Sequence, residues 1–155
     1  MRLTKKTVFI GIASLLIVGL AAWGVNVFLV MNNAQKSFDK NFIHFQAKSD
    51  DNETFFTQGI GKKEAYNLSY SPAKKTIEIS KSTKNGDIYS SDSIYGAVKV
   101  YDIKQNANRY VFLTAAKPII VDFGITSVKV TYDGGHFETP YSELHFGETF
   151  PSEDN

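Results

Sequence analysis

The chain of 155 residues contains no cysteine. No disulfide can staple it, no thiolate can serve as nucleophile, and a lipid anchor on a cysteine is excluded. Any domain must therefore hold by packing, which twelve Phe and eight Tyr can supply. An excess of one charge is also missing, since 17 bases against 16 acids leave a net +1. That balance shows neither a nucleic-acid footprint nor a polybasic membrane patch. No serine lies in a Gly-x-Ser-x-Gly turn, and no Ser-x-x-Lys is followed by the other penicillin-binding motifs. No repeat recurs at a fixed period and no second domain boundary is visible.

Charge is absent altogether from one stretch, Val8 to Met31, whose single amide is Asn26. As a helix these 24 residues reach about 36 Å, against the roughly 30 Å of a bilayer's hydrocarbon layer. Arg2, Lys5 and Lys6 precede the stretch with no acid, which places the N-terminus in the cytoplasm by the positive-inside rule. A cleaved signal peptide shares the basic start. Its apolar core is shorter, however, about 7–15 residues, and here the run continues through Trp23 to Val30 beyond the small residues Gly19 and Ala21. An uncleaved, single-pass signal anchor in the cell membrane is the expectation, with the C-terminal part extracellular. The layout is then a tail over 1–7, a span over 8–31, a short stalk over 32–41, a domain over 42–150 and an acidic tail over 151–155. Beyond the span, fourteen bases face all sixteen acids, a net charge near −2.

Past the stalk the hydrophobic period changes to two. Ile43, Phe45 and Ala47 alternate with polar residues, as do Tyr66, Leu68 and Tyr70, then Ile77 and Ile79, then Val128, Val130 and Tyr132. Ile94–Ile103 and Tyr110–Leu113 are apolar on both faces in places, as central strands are. Ser71-Pro72-Ala73-Lys74, Asn85-Gly86-Asp87, Gln105–Asn108 and Asp133-Gly134-Gly135 read as turns between them, and Pro118 starts a strand over Ile119–Phe123. The fold expected is all-β: an antiparallel sandwich or partly open barrel of seven to nine strands on one N-terminal helix. Val98, Val100, Val128 and Val130 are expected to be buried.

Candidate chemistry is sparse. His44, His136 and His145 lack the spacing of a zinc site, and Asp50-Asp51-Asn52-Glu53 lacks the ordered spacing of a calcium loop. Asp87–Asp92 reads as a solvated loop in the same way. Gly59-Ile-Gly61-Lys62-Lys63 has only half of a phosphate-loop motif. Neither a metal nor a cofactor is expected. The tyrosines of the second half are core, or in part a platform for a partner, with Tyr89, Tyr95 and Tyr141 as candidate binding residues.

The layout, a signal anchor before a small cysteine-free β domain, resembles that of many small surface proteins of Gram-positive bacteria. The likeness is one of architecture and transfers no residue roles. The function expected is a non-enzymatic protein-binding module at the outer membrane surface, for example an immunity-type protein or an accessory subunit of an envelope complex. The alternative is a cell-wall- or lipid-directed hydrolase whose site is assembled from distant residues, such as His136 with Glu138 or Glu143.

The topology has a direct test. Protease added to intact protoplasts should remove the β domain and leave a membrane-bound stub. A mature protein released to the medium, beginning near Ala22, would overturn the anchor.

Overall fold

A long apolar run without a proline favours one long helix, and α1 runs unbroken over Lys5–Phe38. In a computed structural model the chain is described over residues 5–46, 52–58, 63–85 and 88–149. Residues 1–4, Ala47, the Asp50-Asp51 pair, residues 59–62, the turn pair Gly86-Asp87 and the tail from Phe150 lie outside them. α1 is long and apolar enough to cross a membrane, and none of its most apolar 18-residue window is buried.

Of the strand expected at Ile43, Phe45 and Ala47, the described residues Ile43 and Phe45 lie in no strand. Instead α1 passes directly into a π-helical turn over Asp39–Ile43, closed by His44 N donating to Asp39 O at 2.9 Å. Three alternating residues make a weak strand signal, whereas Phe38 and Phe42 stand four apart and share one helical face. Their rings stack at 4.7 Å. Both are fully buried, at 1% and 0% exposure. Phe38, which the sequence places in a stalk, is thus part of the domain core. It meets Phe56, Tyr110, Phe112, Phe123 and Phe146 at ring separations between 5.0 and 6.5 Å.

Nine strands follow: β1 (Glu53–Gln58), β2 (Glu64–Ser71), β3 (Thr76–Asn85), β4 (Ile88–Asn106), β5 (Arg109–Thr114), β6 (Ile119–Phe123), β7 (Ser127–Tyr132), β8 (Gly135–Pro140) and β9 (His145–Thr149). They form one open antiparallel sheet in the order β8-β7-β6-β5-β4-β3-β2-β1-β9. The all-β expectation holds, and the segments read as central in the sheet, β4 and β5, lie in its middle. The sheet curls until its ends meet. Phe137 of β8 stacks on Tyr66 of β2 at 5.0 Å and sits 6.2 Å from Phe56 of β1. Thr139 Oγ1 donates to Gln58 Oε1 at 2.8 Å across the same seam.

Alternation along the strands decides what enters the enclosed space. In β6 and β7 every second residue is buried, giving Ile119, Val121, Phe123, Val128 and Val130. Val100 is buried as expected, and Val98 packs half-buried against the core. Thr54 ties the helix end to the sheet. Its buried hydroxyl lies 2.5 Å from Asn41 O and 3.2 Å from Gly147 O, its single proton shared between them. Gly134 takes φ +115° in the β7–β8 turn, a conformation that the expected glycine turn needs.

Replacing Phe38 by Ala should cost about 3–5 kcal/mol through lost burial and a cavity among six rings. The exposed Phe28 supplies the control. Phe28→Ala should leave the melting temperature of the detergent-solubilised protein unchanged, while Phe38→Ala lowers it sharply. Equal melts would mean that Phe38 does not belong to the core.

Candidate functional site

β4 is the longest strand, 19 residues, and the two halves of the sheet share it. Thr76–Asn85 of β3 pairs with Ile88–Lys99, whereas β5 pairs with Val100–Asn106 only. The N-terminal half of β4 therefore has a ladder on one side and a free edge on the other, among the described residues. Its register slips between Val98 and Tyr95, between Tyr95 and Ser93, and again between Val100 and Asp102. Each slip puts an extra residue on β4, which bends and twists the strand. Pairing is regular again over Ile88–Ser93.

Ser90, Ser91, Asp92, Ser93 and Ile94 are all exposed. No proline interrupts this edge and only one charged residue blunts it, although natural sheet edges usually carry such protection. The C-terminal end of β4 leads to the turn where Gln35 Nε2 of α1 donates to Ala107 O at 2.6 Å. The free half accordingly starts at the pole away from α1. The solvated loop expected over Asp87–Asp92 is, from Ile88 on, part of β4, exposed over Ser90–Asp92.

The candidate tyrosines do not share one face. Tyr89 belongs to the free half, opposite Lys84, and its side chain lies outside the described residues. Tyr95 turns inward instead and packs edge-on against Tyr132, with centroids 5.9 Å apart. Its hydroxyl is buried without a partner. Tyr141 lies beyond β8 in a 3-10 turn over Tyr141–Glu143, half-buried, and its hydroxyl donates to Gly124 O at 2.6 Å. Burial pushes the Tyr141 phenol up to about 12. Two of the three are thus held by the fold, and the exposed tyrosine is Tyr101, at the last bulge of β4.

A polar cleft of about 340 Å³ opens between the helix end and β4, lined by Asp39, His44, Lys75, Tyr101, Asp102 and Gln105 among others. Asp39 Oδ1 lies 3.7 Å from His44 Nε2, too long for a hydrogen bond. On its floor Gln105 Nε2 donates to Tyr110 Oη at 3.1 Å. Burial, with the Asp39 carboxylate nearby, raises the Tyr110 phenol above its ordinary value. Among the described residues, no three His or carboxylate groups converge as a metal centre would need. His136 and Glu138 lie on the outer face of β8, two residues apart, while Phe137 and Thr139 point inward. Glu138 is held by a short hydrogen bond from Ser127 Oγ. His145 lies on β9 opposite Thr57, away from that pair in the sheet order.

Long exposed edge strands open to strand addition are an expectation of the sequence, but their place on β4 is not, because strand length carries no information about partners. One signal was available. Ile88–Asn106 runs for 19 residues without a proline, longer than either neighbouring strand can pair alone.

The two inward tyrosines should respond oppositely to loss of the hydroxyl. Tyr141→Phe is expected to cost about 1 kcal/mol, a typical net hydrogen bond, whereas Tyr95→Phe should be neutral or stabilising because it removes an unpaired buried group. Tyr141 also has a pH signature. Its folded phenol ionises near 12 and its unfolded one near 10, so this stabilisation is complete below pH 10 and is lost as pH rises toward 12. Melts between pH 9 and 12 should fall more steeply for the parent than for Tyr141→Phe. Parallel curves would refute the assignment.

In comparisons with known protein families, curated proteins and solved structures, nothing matches the chain. Its own geometry is the ground for a functional reading.

Proposed function

We propose that the chain is a non-enzymatic, membrane-anchored binding module that displays its β domain outside the cell membrane and receives a protein partner along the free edge of β4. One observation carries this reading: Ile88–Ser93 is a regular strand, exposed over Ser90–Ser93, that among the described residues is paired on one side only, at the end of β4 opposite the turn that α1 contacts. Such an edge offers backbone donors and acceptors in register, and an added strand satisfies them while side chains at alternate positions set specificity. The four serine and aspartate residues at Ser90–Ser93 add short polar groups that a partner backbone can approach closely. Capture of a toxin near the membrane and support of an envelope complex are both roles of this kind.

A photo-reactive residue placed at Ser91 or Ser93 in living cells should give a discrete protein adduct, and one placed at Lys129 on β7 should not. Adjacent strand residues aim their amides to opposite sides. Of Ser91→Pro and Asp92→Pro, one should therefore spare the β3 ladder and the melting temperature while abolishing the adduct. His136→Ala and Glu143→Ala should leave the biological activity intact. Adducts of equal yield from all three positions, or activity lost on His136→Ala with the fold retained, would sink the edge-binding reading.

A further inference from the structure

Apart from α1, the large apolar side chains left exposed among the described residues are Ile94, Tyr101 and Ile125. Ile125 is 64% exposed at the tip of the β6–β7 loop. Its position sets it apart. A crevice of about 210 Å³ brings Asn26, Val27 and Val30 of α1 together with Ile125, Thr126, Pro140, Tyr141 and Ser142. Val27 is half-shielded while its helix neighbours on both sides are exposed. The β domain thus reaches down α1 as far as Val27, inside the apolar stretch that ends at Met31.

Helix length sets the depth of that contact. From Val8 to Asn26 the helix rises about 28 Å, close to the roughly 30 Å of a hydrocarbon layer. If Val8 marks the inner boundary, after Lys5 and Lys6, the outer boundary falls beside Asn26 and Val27. Ile125 sits at that level.

The flanking chemistry agrees. Gly124–Thr126 and Pro140–Ser142 carry no formal charge. Glu143 follows directly in the 3-10 turn, Glu138 is held by Ser127, and Asp122 is held by Arg109 in a two-pronged pair at 2.5 and 3.3 Å. The loop is tied rather than loose. Gly124 N donates to Ser127 O at 2.8 Å, and Gly124 O receives the Tyr141 hydroxyl. A rigid, uncharged loop with one apolar tip at the acyl–headgroup boundary is built for lipid contact.

We infer that the Gly124–Thr126 loop, with Pro140–Ser142 beside it, docks on the outer leaflet, and that Ile125 inserts among phospholipid acyl chains. This rests on the membrane-anchored reading above. The domain then rests on the bilayer at a second point beside its helix, which fixes its tilt and the direction in which β4 faces.

The cysteine-free chain makes the test direct. Ile125→Cys, Val18→Cys and Ser91→Cys, each labelled with an environment-sensitive fluorophore, are reconstituted as full-length protein in phosphatidylcholine–phosphatidylglycerol vesicles. Quencher lipids carry a nitroxide either high or low on the acyl chain. The Val18 label should be quenched best by the deep nitroxide, which checks the span itself. The Ile125 label should be blue-shifted and lose most of its emission to the shallow nitroxide, and the Ser91 label should respond to neither. An Ile125 label that behaves like the Ser91 label, with Val18 quenched, would overturn the docking and leave the anchor standing. A Val18 label that is not quenched would overturn both. Unchanged melts of the three variants ensure that the labels report the native fold.

Discussion

Everything in this molecule depends on the burial of Phe38. A membrane-crossing helix and an extracytoplasmic domain are ordinarily joined by a linker, and each can move independently. Here the helix end enters the domain core, so that five aromatic rings from β1, β5, β6 and β9, with Phe42 of the π-helical turn, surround a residue of the helix itself. Burying a phenylalanine is worth about 1.5–3 kcal/mol, and Phe42 adds a second. In a cysteine-free domain of modest size, that contribution is a large part of net stability. Membrane segment and sheet are consequently one body.

That constraint orders the rest. The π-helical turn exists to swing Phe42 onto Phe38, and a wider turn of this kind is where a helix departs from its regular ladder. Thr54 then clamps the turn to β1 and β9. Around this plug the sheet has to curl, and β4 lets it do so by three register shifts along a single strand. β5 ends at Thr114, opposite Val100, which leaves the first half of β4 with an unpaired edge among the described residues.

Much of the fold is legible in the sequence because period-two alternation is a property of the chain alone. The strands around Leu68, Ile77, Val121 and Val128 announce themselves in this way, as do the turns at Pro72 and Gly134. Phe38 and Phe42 were visible as a pair four residues apart, yet what they pack against comes from residues as distant as Phe146, and no local pattern encodes that. The candidate site was less legible. Tyr95 and Tyr141 have the residue type of a binding platform, but type does not reveal orientation: one packs on Tyr132 and the other bonds to Gly124. The edge of β4 is defined by a neighbour that ends early, which only the assembled sheet displays.

The pairing of β1 with β9 has a consequence for the order of assembly. Phe56 lies opposite Phe146, and the ring of Phe55 covers Gly147, where a side chain would have no room. These contacts close a loop of about ninety residues, and Phe38 finds its partners on both sides of it. The plug residue Phe38 lies about a hundred residues ahead of the strand that completes its socket. Such non-local closure makes folding slow, since loop entropy is lost before the contacts reward it. Until β9 pairs with β1, the face of Phe38 that Phe146 covers stays bare.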